Sequence, residues 1–144
     1  MGFPATAADV LGGSVVLNSA ADSTEAMMEL LRTGLPVEAL EVATQTLGLS
    51  AEEVSNVLGI PKRTLARRRK EHQLSPYESN RLFRLAHVAA HALDVFDNRE
   101  QAQGWFHEPI PALGGRTPVS MLDTEAGVVL VDDELGRIEH GIFA

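Results

Sequence analysis

The sequence predicts an all-α protein: an N-terminal helix-turn-helix module followed by a small helical module. Three observations carry that reading. Ser50 with Glu53 and Ser75 with Glu78 each place a hydroxyl three residues ahead of a glutamate, the capping box in which side chains and backbone N–H groups satisfy one another at a helix start. Apolar residues recur at spacings of three and four over 82–96 and again over 128–142, the period of a helix with one buried face. The run Val128-Val129-Leu130-Val131 could form a strand, but a lone strand without a partner run in the same module is difficult to house.

In chain order, residues 1–21 form a Gly-rich arm whose apolar anchor is Val15, Val16 and Leu17, an arm that either is disordered or docks on something. Residues 22–74 hold the first module. From Pro36, the apolar positions Val37, Leu40, Val42 and Ala43 mark a helix ending near Leu47-Gly48-Leu49, with Gly48 as a left-handed cap. The Ser50 box starts a second helix over about 51–57, with Val54, Val57 and Leu58 inward, and Gly59 ends it. Pro61 is placed at the first position of a third helix, anchored by Leu65. Helix, short glycine-containing turn, helix is a helix-turn-helix.

Charge gives that third helix its meaning. The 144 residues carry a net charge of −8, yet six of the twelve Lys and Arg residues lie within 62–70, leaving six cations against twenty carboxylates elsewhere. A concentrated basic stripe on an acidic body focuses positive field on phosphates. A recognition helix offers its first turn to base edges in the major groove while neighbouring cations pair with the backbone. Lys62, Arg63, Thr64 and Arg67 are the expected base-facing residues, and Arg68 and Arg69 complete the expected DNA-binding set. Arg68, Arg69 and Lys70 cannot all share that face, so at least one of them meets phosphate or solvent only.

The second module spans 75–144. Ser75 caps, and Pro76 opens, a helix running to about Phe96, with Leu82, Leu85, Ala89, Leu93 and Phe96 on one side. Asn98 caps a short helix containing Trp105 and Phe106; Gly114-Gly115 allows a tight turn; Thr117-Pro118 opens another short helix with Met121 and Leu122. The seam Val128, Val131, Leu135, Ile138 and Ile142 then makes a terminal amphipathic helix. His87 and His91 sit at i and i+4, a metal-ligand spacing, but the glutamate of His-Glu-x-x-His is missing and no third ligand is evident, so no metal is expected. Met1-Gly2-Phe3-Pro4-Ala5-Thr6 fits the myristoylation pattern, yet Pro4 is rigid and no basic patch follows to add the second membrane signal.

Composition excludes other classes. Without cysteine there is no disulfide scaffold, thiolate zinc site or cysteine nucleophile. No apolar run approaches the roughly 20 residues of a membrane span, and the first twenty residues lack the cation of a secretory signal, so a cytoplasmic protein is expected. No nucleophile elbow, spaced acid pair or metal cluster supplies a reaction centre.

Trp105, Pro109, Leu113-Gly114-Gly115-Arg116-Thr117-Pro118, Leu122, Gly127, Val131, Leu135, Arg137, Ile138 and Gly141, following the helix-turn-helix, resemble the toxin-binding domain of the MbcA/ParS/Xre antitoxin family. The likeness covers roughly 36–144. The resemblance implies an antitoxin rather than an enzyme, with no cofactor, an Xre-like helix-turn-helix on promoter DNA, and a RES-domain toxin that degrades NAD as partner. It further implies that the end of the chain covers the toxin's cleft, with Arg137, Ile138, His140, Gly141, Ile142 and Phe143 as toxin-binding residues. A homodimer within a larger complex is expected, because helix-turn-helix proteins bind paired half-sites. The residues alone also fit an ordinary regulator with a C-terminal dimerisation or effector domain.

Overall fold

The computed structural model describes residues 5–141, and among these there is no strand, only two isolated bridges. The helices are α1 (Ala7–Val10), α2 (Gly13–Leu17), α3 (Thr24–Thr33), α4 (Val37–Leu47), α5 (Ala51–Leu58), α6 (Lys62–Glu71), α7 (Pro76–Phe96), α8 (Arg99–Phe106) and α9 (Glu125–Glu139), with short 3-10 turns at Asn18–Ala21, Pro111–Leu113 and Pro118–Met121. Both expected capping boxes form, and Asn98 and Thr124 cap α8 and α9 through their side chains. Gly48 and Gly59 close α4 and α5 in the left-handed conformation. The strand alternative for 128–131 is overturned: Val131 and Leu135 are fully buried on the inner face of α9, with Val128 and Ile138 packed beside them.

Three local expectations are corrected, at Pro61, after Thr117 and at Val15, and the alternative left open for the arm is decided. Pro61 is the N-cap of α6, in extended conformation, so the helix begins at Lys62. Thr117 caps nothing with its side chain, and the segment after it is a 3-10 turn with Leu122 just beyond it. The Gly-rich arm folds and docks: Ala7, Val10 and Leu11 are buried against α7 and α4, and the Ala5 amide donates to Asp94 Oδ1 at 2.7 Å. Of its expected anchors Leu17 is buried, but Val15 is 92% exposed. The myristoylation pattern falls largely on residues 1–4, outside those described.

The chain between α3 and α6 is pinned at both ends. The Leu74 amide donates to the Leu35 carbonyl at 2.9 Å, the Val37 amide to the His72 carbonyl at 3.2 Å, and the Leu35 amide to Ser79 Oγ at 2.7 Å. Backbones come so close here that a side chain on Gly34, at φ 121°, would collide with the Leu74 carbonyl. Only glycine takes both the conformation and the approach.

α7 is the organising element. Its 21 residues span about 31 Å at ~1.5 Å per residue. α1, α3, α4, α5, α8 and α9 all pack on it, so one contiguous apolar core runs through both expected modules. At the far end Trp105 is buried between Phe96 and Phe106, with ring centroids 5.8 and 5.4 Å away. Beside it, Gly114 and Gly115 are both left-handed, turning the chain so that Ile110 and Arg116 pair.

Candidate nucleic-acid and toxin-binding surfaces

α6 has one buried apolar side chain, Leu65, at 1% exposure. That burial is worth about 1.5–3 kcal/mol, and it fixes which way the cations point. Arg63, Arg67 and Lys70, at i, i+4 and i+7, lie on the side opposite Leu65 and are exposed, with Lys62 at their edge. None of the four makes an ion pair or side-chain hydrogen bond among the described residues. Thr64 is half-buried. Lys70, left out of the expected DNA-binding set, shares the face of Arg63 and Arg67.

Arg68, one of the expected DNA-binding residues, is engaged by two carboxylates of the chain itself. Its Nε and Nη2 donate to the two carboxylate oxygens of Glu78 at 2.8 and 3.1 Å, and Nη1 donates to Glu71 at 3.1 Å. Glu78 is 3% exposed and also accepts from the Ser75 amide at 2.9 Å. Burial works to raise the Glu78 pKa, but the hydrogen bonds from Arg68 and Ser75 outweigh it and hold the carboxyl below its ordinary range. The pair thus fastens the recognition helix to the start of α7. Arg69 meets Glu41 at 2.9 Å with both side chains nearly half exposed; such a surface pair is worth 0–1 kcal/mol and yields readily to a phosphate.

Sequence reasoning treated Glu78 as a local cap, and nothing near it signalled a bidentate partner ten residues upstream. Arg81 was missed as well. Its guanidinium donates to the Val57 carbonyl at 2.8 Å and the Asp123 carbonyl at 2.6 Å, with Tyr77 stacked beneath at 5.6 Å. It ties the end of α5 and the approach to α9 onto α7.

The second surface begins at α9. His91 on α7 reaches Asp132 through Nδ1 at 2.7 Å and Glu139 through Nε2 at 3.2 Å, so both ring nitrogens are used to clamp α9. Burial works to lower the His91 pKa, but the two carboxylates outweigh it and raise the value. His87, one turn earlier, is exposed and does not join the clamp. His107 on α8 similarly reaches Glu53 on α5 at 3.1 Å.

Of the expected toxin-binding residues, Arg137 and His140 are exposed, with Arg137 Nε 3.8 Å from Glu134. Ile138 turns inward and is half-buried on the core seam, so its role is first structural. Gly141 is exposed and left-handed. Ile142 and Phe143 lie outside the described residues. Segment 91–141 carries ten carboxylates against three arginines, a markedly acidic surface.

Two family models match the chain. Residues 26–87 match the antitoxin Xre-like helix-turn-helix domain, and residues 91–141 match the antitoxin Xre/MbcA/ParS C-terminal toxin-binding domain. The first therefore reaches past residue 74 into α7, and the two meet within that helix. An antitoxin Xre of Yersinia enterocolitica is 34% identical over 120 residues, 82% of this chain and 81% of that protein. One of Photorhabdus laumondii is 36% identical over 117 residues, 80% and 79% of the two chains. A protein of Sphingobium named Prs ADP-ribosylating antitoxin is 27% identical over 125 residues, 80% and 79% of the two. With the cation face of α6 in the first matched domain and the clamped terminal helix in the second, the chain belongs to the Xre/MbcA/ParS antitoxin family.

Proposed function

We propose that this antitoxin neutralises a RES-type, NAD-degrading toxin by covering its active-site cleft with the end of α9 and the residues after it, and that it binds its own promoter through α6 as a dimer. The observation that carries the DNA half is the face of Arg63, Arg67 and Lys70, unpaired among the described residues, on a chain of net charge −8. The toxin half is supported by Arg137 and His140, exposed at the end of a helix whose opposite face is committed to the core. A guanidinium there suits a cleft that otherwise receives a dinucleotide, since it pairs with acidic or carbonyl groups in a planar, two-pronged way. We assign the chain no chemistry of its own. Its clustered polar groups are spent on one another: Arg68 on Glu78, His91 on Asp132 and Glu139, and His107 on Glu53.

The test takes the product of the reading frame neighbouring this chain's own, asks whether it is a RES-type protein, mixes it with wild type, with a variant lacking residues 140–144, and with Arg137→Glu, and follows NAD consumption. Wild type abolishes consumption and both variants restore it while keeping their thermal stability. Full inhibition by both variants places the inhibitory contact elsewhere; NAD consumption unaffected by wild type leaves an ordinary DNA-binding regulator as the better reading.

A further inference from the structure

The turn around α2 is built against the backbone's preferences. Among residues 12–18, Gly12, Gly13 and Asn18 all have positive φ, at 108°, 61° and 54°. Glycine takes such conformations freely. Asn18, with ψ at −132°, lies where a side chain is disfavoured, and strain of that kind persists only when the surrounding structure enforces it. The turn sets the directions of two adjacent valines. A Val16 methyl fills the space that a side chain on Gly12 would need, close to Val42, and Leu17 is buried. Val15 is held outward at 92% exposure, the most open of the large hydrophobic residues described.

Beside this projection lies a recess. A groove of about 390 Å³ opens where α2, α3 and α6 end, with Val16, Leu30 and Pro36 in its walls and Glu71 and His72 at the recognition helix. The Glu71 carboxylate is already held by Arg68 at 3.1 Å. Projection and recess thus adjoin on one patch. A two-fold interface requires that self-complementary form, since each copy's projection must enter the other's recess.

Charge selects a second copy as the occupant. Residues 10–21 carry no ionisable side chain, the longest such run in a chain with twenty carboxylates and a net charge of −8. Two identical acidic chains repel over most of their surfaces, and least where neither bears a charge. The exposed pair Val129 and Leu130, by contrast, sits among the carboxylates of α9 inside the matched toxin-binding domain.

We propose that the α2 turn, with Val15 at its tip, and the groove beside it form the surface through which two copies of this chain pair, and that this pairing sets two α6 helices for paired half-sites. The proposal rests on the reading of this chain as a dimeric promoter binder and names its interface. The groove runs to Glu71 and His72, directly after Lys70. An interface there is joined to the recognition helix by the protein's own packing, which fixes the spacing that two half-sites demand.

The experiment uses the full chain and the DNA upstream of its own reading frame. Wild type, Val15→Glu, and Val129→Glu with Leu130→Glu are compared by sedimentation equilibrium, circular dichroism and gel shift. Wild type is expected to form a dimer. Val15→Glu should keep the wild-type circular dichroism, since its side chain stands outside the core, while self-association weakens by at least about tenfold because the change enters the interface twice. Its affinity for the upstream DNA should fall with the dimer. The α9 variant should pair as wild type does. A wild type that is monomeric both free and on the DNA overturns the dimer reading and this proposal with it. A wild-type dimer that Val15→Glu leaves intact overturns the surface alone, and a dimer lost in the α9 variant but kept in Val15→Glu moves the interface to α9. A monomeric Val15→Glu that holds the DNA as tightly as wild type overturns the role given to the pairing in DNA binding.

Discussion

Replacing Arg68 by Ala removes three hydrogen bonds at once and strands the Glu78 carboxylate at 3% exposure with only its cap contact to Ser75. Taking one partner from a buried pair costs about 3–5 kcal/mol, because the remaining charge stays desolvated. Arg68 keeps a 20% exposed side chain, so some water reaches the site and the lower figure, about 3 kcal/mol, is the better expectation. For a chain of this size that corresponds to a fall of about 9–12 °C in Tm at ~3–4 °C per kcal/mol. The pair also has a signed pH dependence. The folded pKa of Glu78 lies below its ordinary value of about 4.5, so its contribution is present above that value and disappears as pH falls through the folded one. The assay is thermal unfolding of wild type, Arg68→Ala and the double variant Arg68→Met with Glu78→Leu, at pH 7 and pH 4. The double variant should regain much of the loss, since the stranded charge is gone. An Arg68→Ala protein that melts with wild type yet loses DNA affinity as fully as Arg67→Ala would refute the reasoning and return Arg68 to the DNA-facing set.

Further outcomes follow from the same geometry. Arg63→Ala with Arg67→Ala should abolish specific promoter binding in a gel shift while shifting Tm by no more than a degree or two; the wild-type affinity should fall with salt at a log-log slope of about −0.9 per phosphate contacted. His91→Gln should cost stability below about pH 6.5, and its gap from wild type should close as pH rises through the raised pKa of His91; with Asp132 and Glu139 more than a third exposed, the gap stays under about 1 kcal/mol, read as Tm across pH 5.5–8.5. A fragment of residues 72–144 should show reduced helicity by circular dichroism and a broad unfolding transition, because α7 loses α1, α3, α4 and α5 from its buried faces.

What could be read from the sequence was what is local. Ser50, Ser75 and Asn98 each act within three residues of themselves, and each cap formed. Leu65 identified itself as the lone large apolar residue of a cationic helix. α3 was overlooked although its signals were present: Ser23 accepts from the Ala26 amide, Met27, Leu30 and Leu31 share a side, and Gly34 ends it. The docking of the arm was not legible, since Ala7, Val10 and Leu11 gain meaning only from α7 some eighty residues later. Nor was the true role of Arg68, because a run of four consecutive cations gives no indication of which one turns inward to a carboxylate on another helix. At α9 the inward seam was visible as periodicity, but the outward exposure of Val129 and Leu130 was hidden inside an apolar run.

The two matched domains meet within α7, at residues 88–90, without a linker. That junction has a phase. Each residue added or removed there would turn one half about the other by about 100° and slide it by ~1.5 Å, breaking the bond that Arg81 makes across the junction to the Asp123 carbonyl. Descent by shuffling domains is therefore restricted: a functional chimera between two relatives must splice within the helix without gain or loss of a residue. In this protein the coupling of the two halves is a matter of rotation along one rigid shaft, and inheritance must preserve its setting.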